Sequence, residues 1–251
     1  MKIGVIGFGH LGKALVKGIF NRDIETADNI YVCARSESTL KIASEEFGVN
    51  TTNDINKIFE IADLVFLVLK SDVFLKTEFD KAVSDDKTVV SFIAGVTIAQ
   101  IKEKLGYDAE IIRAMPTLSM ENGNGIIGYT KTTNKTIANI FEKLGYAFAV
   151  DEDKIDVVTA FSACGLGFAA YIIEAFKQVG TQMGFDEDTS RKIVEDNFLS
   201  AINSKDYNKT IQEVATKGGA TEQGILYFEE NKLKDIISGA IMEAEIKCKN
   251  K

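Results

Sequence analysis

A chain of 251 residues is too long for one minimal core and fits two modest domains or one large one. Its 45% apolar and 26% charged residues are the balance of an ordinary globular protein, and a net charge of −8 with no Lys/Arg-rich block excludes a sequence-independent grip on nucleic acid. Cys33, Cys164 and Cys248 have no paired spacing, which argues against a disulfide framework or a metal site and reads as reduced thiols.

The chain enters a strand pattern at once, over residues 2–6, so no signal peptide is expected and the protein is placed in the cytoplasm. A helix follows over residues 10–21, with Leu11, Ala14, Leu15 and Ile19 on one face. Residues 30–34 form the second strand, and Ser36 can cap a helix running to about residue 47. Residues 63–69 are almost continuously apolar, as a strand buried on both faces requires. Strands are also expected at 88–93 and 110–114, with shorter additions at 126–129 and 146–150. This alternation predicts a doubly wound parallel α/β sheet of Rossmann type over residues 1–150.

Beyond residue 150 the strand signal stops. Amphipathic segments at 154–183, 186–204, 208–215, 221–230 and 233–247 predict an all-helical second domain over residues 151–251. The longest uncharged run, residues 157–173, is interrupted by Gly165 and Gly167 and is short for a membrane span. It is read as a helix buried against another helix or a subunit, so at least a homodimer is expected and no membrane partner. Phe161, Phe168, Tyr171 and Phe176 recur near helical spacing and fit such a dimer core. The acidic pairs Glu45-Glu46, Asp85-Asp86 and Glu229-Glu230 read as solvated surface.

Gly7-Phe8-Gly9-His10-Leu11-Gly12 is a GxGxxG motif. It follows a strand and opens a helix, the context that makes it a dinucleotide fingerprint. Gly7 allows a tight turn, Gly9 lets the backbone approach a diphosphate, and Gly12 lets helix and strand pack closely. The diphosphate would lie at the helix N-terminus, where unpaired N–H groups point outward. His10, the sole histidine, is read as lining this cleft rather than as a general acid. At the end of the second strand an acidic residue would select NAD. Here the residues are Val32-Cys33-Ala34-Arg35-Ser36: Arg35 can fork onto a 2′-phosphate and Ser36 can donate to it, with Lys41 as a helper. NADP(H) is the expected cofactor. Glu37 close by leaves NAD(H) open.

The opening glycine block, the stretches Val65-Phe66-Leu67-Val68-Leu69-Lys70 and Ser91-Phe92-Ile93-Ala94-Gly95-Val96, then Arg113-Ala114-Met115-Pro116-Thr117 and Lys217-Gly218-Gly219-Ala220-Thr221 together resemble the pyrroline-5-carboxylate reductase family. Pro116 is the only proline in the chain. The resemblance implies hydride transfer from the nicotinamide to the C=N carbon of a cyclic imino acid. It also implies a helical domain that forms an intertwined dimer, often assembled further. Carried over residue by residue, Gly7, Phe8, Gly9, His10, Leu11 and Gly12 would hold the pyrophosphate, Arg35 and Ser36 the 2′-phosphate, and Asn53 the adenosine end. Leu69, Lys70, Met115 and Pro116 would flank the nicotinamide. Gly218, Gly219 and Thr221 would hold the substrate carboxylate, and a helix opening at Ala220 or Thr221 would present N–H groups to it.

The chain departs from the family's pattern in the second domain. Cys164-Gly165-Leu166-Gly167-Phe168-Ala169 stands where the family has S-G-S-G-P-A, Thr216-Lys217 replaces Ser-Pro, and Ala220 replaces a threonine. Ser71 and Thr117 stand where a proline and an asparagine are usual. These changes remove hydroxyl donors near the expected substrate. They leave open a reductase of another imine or small carbonyl compound, and an NADP-binding sensor without turnover.

Overall fold

The computed structural model describes residues 1–79, 87–106 and 110–249. The Asp85-Asp86 pair lies outside the described residues. Two compact units are present, Met1–Ala163 together with Ala244–Lys251, and Cys164–Glu243. The first unit thus retains residues 151–163, which composition groups with the helical half.

The first unit is built on one eight-stranded sheet: β1 (Ile3–Ile6), β2 (Ile30–Cys33), β3 (Asn50–Thr52), β4 (Leu64–Leu67), β5 (Thr88–Ser91), β6 (Glu110–Pro116), β7 (Gly125–Thr130) and β8 (Gly145–Val150), in the order β3-β2-β1-β4-β5-β6-β7-β8. Strands from β3 to β6 in that order run parallel; β7 is antiparallel to β6, and β8 parallel to β7. The fold is the doubly wound α/β class expected. The order reverses between β1 and β4, so a crevice opens at the carboxyl ends of these strands, the usual ligand position in such sheets.

Strand side chains alternate between two cores. Leu64 and Phe66 join Ile3, Val5 and the buried face of α1 (His10–Asn21) in one, with α6 (Lys135–Leu144). Val65 and Leu67 point the other way, against α3 (Ile55–Ile61), α4 (Ser71–Lys76) and α5 (Ile98–Leu105). α2 (Glu37–Phe47) contributes Ala43 to the first core and ends at Gly48, whose φ of +67° suits a left-handed cap. Ser36 occupies the N-cap position of α2 but does not cap it; its hydroxyl meets Ser38 Oγ at 2.6 Å.

After β8 the chain is helical: α7 (Ile155–Val158), a π-helical turn at Thr159–Ala163, α8 (Cys164–Gln182), α9 (Glu187–Ser204), α10 (Tyr207–Val214), α11 (Ala220–Glu230) and α12 (Leu233–Lys249). The helical run Glu152–Gln182 is long and apolar enough to pass as a membrane span by composition, with a mean hydropathy of 1.6 in its most apolar window, of which 22% is buried. Within the single chain Val158, Thr159 and Ala160 are buried, whereas Phe161 is 69% and Tyr171 79% exposed. Cys33 and Cys248 are buried and Cys164 half-buried.

Candidate active site

Gly7 ends β1 with φ +102°, and its N–H donates to Cys33 O at 2.9 Å. A side chain here would be strained by the backbone and would also overlap the Val68 carbonyl. Gly12 sits in the first turn of α1, where a Cβ would overlap the Gly7 carbonyl oxygen. Gly9 differs: a Cβ there would meet nothing within 4 Å. The protein itself does not need a glycine at position 9, but a ligand lying against the backbone would. Gly9 is also the N-cap of α1, with no side-chain cap and no acidic residue in the first turn, so the first N–H groups of α1 and its positive dipole end are left for an anion. These are the features a diphosphate requires, and the glycine loop fits a bound dinucleotide.

The crevice at this loop is a cleft of about 920 Å³. The glycine loop contributes Gly7, Phe8 and Gly9; the β2 end contributes Cys33, Ala34, Arg35 and Ser36; Asn53 comes from the β3 end and Leu69 with Lys70 from the β4 end. Eight of the expected cofactor residues are thereby brought together. Arg35 is exposed and, among the described residues, makes no ion pair, so its guanidinium is unengaged. Lys41 is not in the lining and pairs with Glu45 at 3.7 Å.

Other expected residues lie elsewhere. His10, Leu11 and Gly12 form the first turn of α1 behind the loop; His10 is exposed, and Leu11 packs on the core. Met115 and Pro116 end β6 and do not line this cleft; Met115 is 4% exposed and packs with Ile155 and Val158. In the second unit Gly219 is the N-cap of α11, which opens at Ala220, and Gly218 takes φ +74°. The Gly218 N–H donates to Glu222 Oε2 at 2.7 Å, so one N–H of this loop is held by the chain's own carboxylate. Thr117, which departs from the family's asparagine, is 3% exposed, and its Oγ1 accepts from Ile126 N at 2.9 Å. It closes the β6–β7 connection.

Sequence reading missed Thr39, Asp54 and Asp72 as cleft residues. Asp54 could have been found from its helix-cap pattern, since its carboxylate accepts from Asn56 N at 3.0 Å and caps α3. Cys33, at the β2 end of the cleft, is held as the thiol. Burial first, and the nearby Asp54 charge second, push its thiol up to about 11.

A mostly parallel sheet with a glycine loop at its switch point and, among the described residues, an unpaired cation at the second strand's end define a Rossmann-type dinucleotide-binding unit, and a helical unit follows it. Residues 2–95 match the family described as NADP oxidoreductase, coenzyme F420-dependent, and residues 152–251 match pyrroline-5-carboxylate reductase dimerisation. Pyrroline-5-carboxylate reductase 2 of Bacillus subtilis is 28% identical, with 98% of this chain and 95% of that protein covered. Pyrroline-5-carboxylate reductase of Escherichia coli is 27% identical, with 100% and 96% covered. The crystal structure of Plasmodium falciparum pyrroline carboxylate reductase with NADP bound superimposes with a TM-score of 0.89 at 23% identity, over 100% of this chain and 97% of that one. Over almost its whole length the chain is similar to pyrroline-5-carboxylate reductases, and its last hundred residues match that family's dimerisation domain.

Proposed function

We propose that this protein is an NADPH-dependent reductase that converts L-1-pyrroline-5-carboxylate to L-proline. The observation that carries the reading, given the family, is the β2 end: an unengaged Arg35 beside Ser36, with no strand-end carboxylate, lining one cleft with Gly7 and Gly9. When bound, NADPH supplies a hydride to the imine carbon, and a proton reaches the ring nitrogen. The chain's part is to bind and orient.

The first turn of α1, from Gly9 through His10, Leu11 and Gly12, faces the diphosphate with its backbone, and Phe8 anchors the loop to the core against Phe47. Arg35 and Ser36 hold the 2′-phosphate and Asn53 the adenosine end. Leu69, Lys70, Met115 and Pro116 flank the nicotinamide. Gly218, Gly219 and Thr221 hold the substrate carboxylate, which must displace Glu222 from the Gly218 N–H.

The working form is a cytoplasmic homodimer at least. Among the described residues of Cys164–Glu243, only Ser190 and Val194 are buried, so this unit has almost no core of its own. A second copy covering its apolar faces would complete one. Leu166, Phe168 and Ala220, which stand where the family has hydroxyls or proline, favour a second reading in which the same chemistry acts on another imine or a small carbonyl compound.

Purified protein with L-1-pyrroline-5-carboxylate, assayed for oxidation of NADPH and in parallel of NADH, tests the proposal. Fast turnover with NADPH preferred is expected. NADPH binding without turnover would sink the proline reading and favour another substrate or a sensor.

A further inference from the structure

Arg113 is 2% exposed and is the largest of the fully buried side chains. It lies in the middle of β6, two residues before Met115, so both side chains project from the same face of the strand. Its Nη1 meets Glu152 Oε1 at 3.3 Å and its Nη2 meets Asp156 Oδ1 at 3.2 Å. The same Glu152 oxygen accepts the N–H of Ile98, the first residue of α5, at 2.6 Å. Arg113 also donates its own backbone N–H to Thr130 Oγ1 at 3.0 Å. One residue along the β6 face, Met115 packs on Ile155 and Val158, with Ala94 alongside. The guanidinium and the methionine thus grip the same short segment, 152–158, one by charge and one by packing.

A buried arginine held by two part-exposed carboxylates is a poor way to gain stability, because desolvating the guanidinium offsets much of the attraction. What it supplies is geometry. A planar fork held by two carboxylates from adjacent turns fixes both rotation and register. We propose that Arg113 is a positioning residue for hydride transfer: gripped by Glu152 and Asp156, it sets the Met115–Pro116 end of β6 and the start of α5 in the place that the nicotinamide requires. The adenosine half of the cleft, at the ends of β1, β2 and β3, shares none of these contacts. The inference rests on the reductase reading for its substrate and on the structure for its geometry.

The test uses full-length R113M and R113K, with the E152Q/D156N double variant as a gentler disruption should R113M fold poorly. Each is titrated with NADPH so that rates are expressed per cofactor-binding site. In R113M and in the double variant, kcat per site should fall about tenfold while the NADPH Kd stays within about twofold. The deuterium isotope effect with nicotinamide-deuterated NADPH should rise, and R113K should recover part of kcat. An unchanged kcat per site, or a fall in kcat matched by an equal loss of NADPH affinity, would overturn the proposal. Should the wild-type protein fail to reduce pyrroline-5-carboxylate, the function reading fails first. Arg113 is then judged from the fluorescence of bound NADPH at saturation: altered nicotinamide emission in R113M supports positioning, and emission identical to wild type overturns it.

Discussion

Gly12 packs so closely on Gly7 that a Cβ at position 12 would overlap the Gly7 carbonyl oxygen, whereas one at Gly9 would point into open space. Two glycines of one motif therefore answer to different demands, and substitution separates them. G12A should destabilise the fold by about 1–3 kcal/mol, because backbone must shift to admit the methyl group. G9A should unfold at the wild-type temperature yet bind NADPH at least about tenfold more weakly, because the methyl occupies the place where the diphosphate meets the loop. Thermal melts with and without NADPH read both effects. Equal NADPH affinity in G9A and wild type would remove the loop from the cofactor site.

Arg35 lines the cleft without a partner among the described residues, and this makes it a clean probe of cofactor choice. A charge-assisted hydrogen bond to a phosphate is worth about 1.5–3 kcal/mol, so R35A should weaken NADPH binding by about tenfold to a hundredfold. NADH, lacking the phosphate, should bind R35A as it binds the wild type. S36A should show the same pattern on a smaller scale. Comparing kcat/KM for the two cofactors checks this, and equal losses for both would mean that Arg35 does not read the 2′-phosphate.

Glu25 links the N-terminus to the body of the first unit. Its Oε1 accepts from Asn29 Nδ2 and Thr26 N, and its Oε2 meets the terminal ammonium at 2.9 Å. The hydrogen bond from Asn29, followed by those from the ammonium and Thr26, lowers its pKa from 4.5 to about 2. A carboxyl with a depressed folded value contributes stability above its unfolded value and loses it as pH falls through the folded one. The wild type should therefore lose stability between about pH 4.5 and 2, and E25Q should lose less over the same window. Chemical denaturation at stepped pH would show it; parallel curves for the two proteins would mean that the cluster is not formed in solution.

The Rossmann order was legible because its strands are apolar runs and its glycine motif sits at a strand–helix junction. α1 spans His10–Asn21, as its periodicity implies. β3 was not legible: Asn50–Thr52 is three polar residues at the sheet edge, paired on one side only, and nothing in its pattern separates it from a loop. Losing β3 also hid Asp54, which follows it into the cleft. Arg113 was visible as part of a motif but not as a buried charge, because its carboxylates lie 39 and 43 residues away in sequence. Ser36 illustrates the limit of local rules. Its type and position predict a capping hydroxyl, yet the side chain pairs with Ser38 at the mouth of a ligand cleft.

Tyr171 tests whether a second copy covers the helical unit. It is 79% exposed in the single chain, on α8, with Phe161 and Phe176 also exposed along the same helical run. On a truly solvated surface Y171D would change stability by no more than about 0.5 kcal/mol. At the centre of a subunit interface a buried aspartate should cost about 2 kcal/mol or more of association energy. Sedimentation in detergent-free buffer should give at least a dimer for the wild type and a shift toward monomer for Y171D. Activity of the variant should fall on dilution, because a unit with two buried residues between Cys164 and Glu243 cannot hold its loops without a partner. A wild-type chain that sediments as a fully active monomer would exclude the dimer. A chain that stays soluble only with detergent would assign the Glu152–Gln182 run to a lipid surface instead.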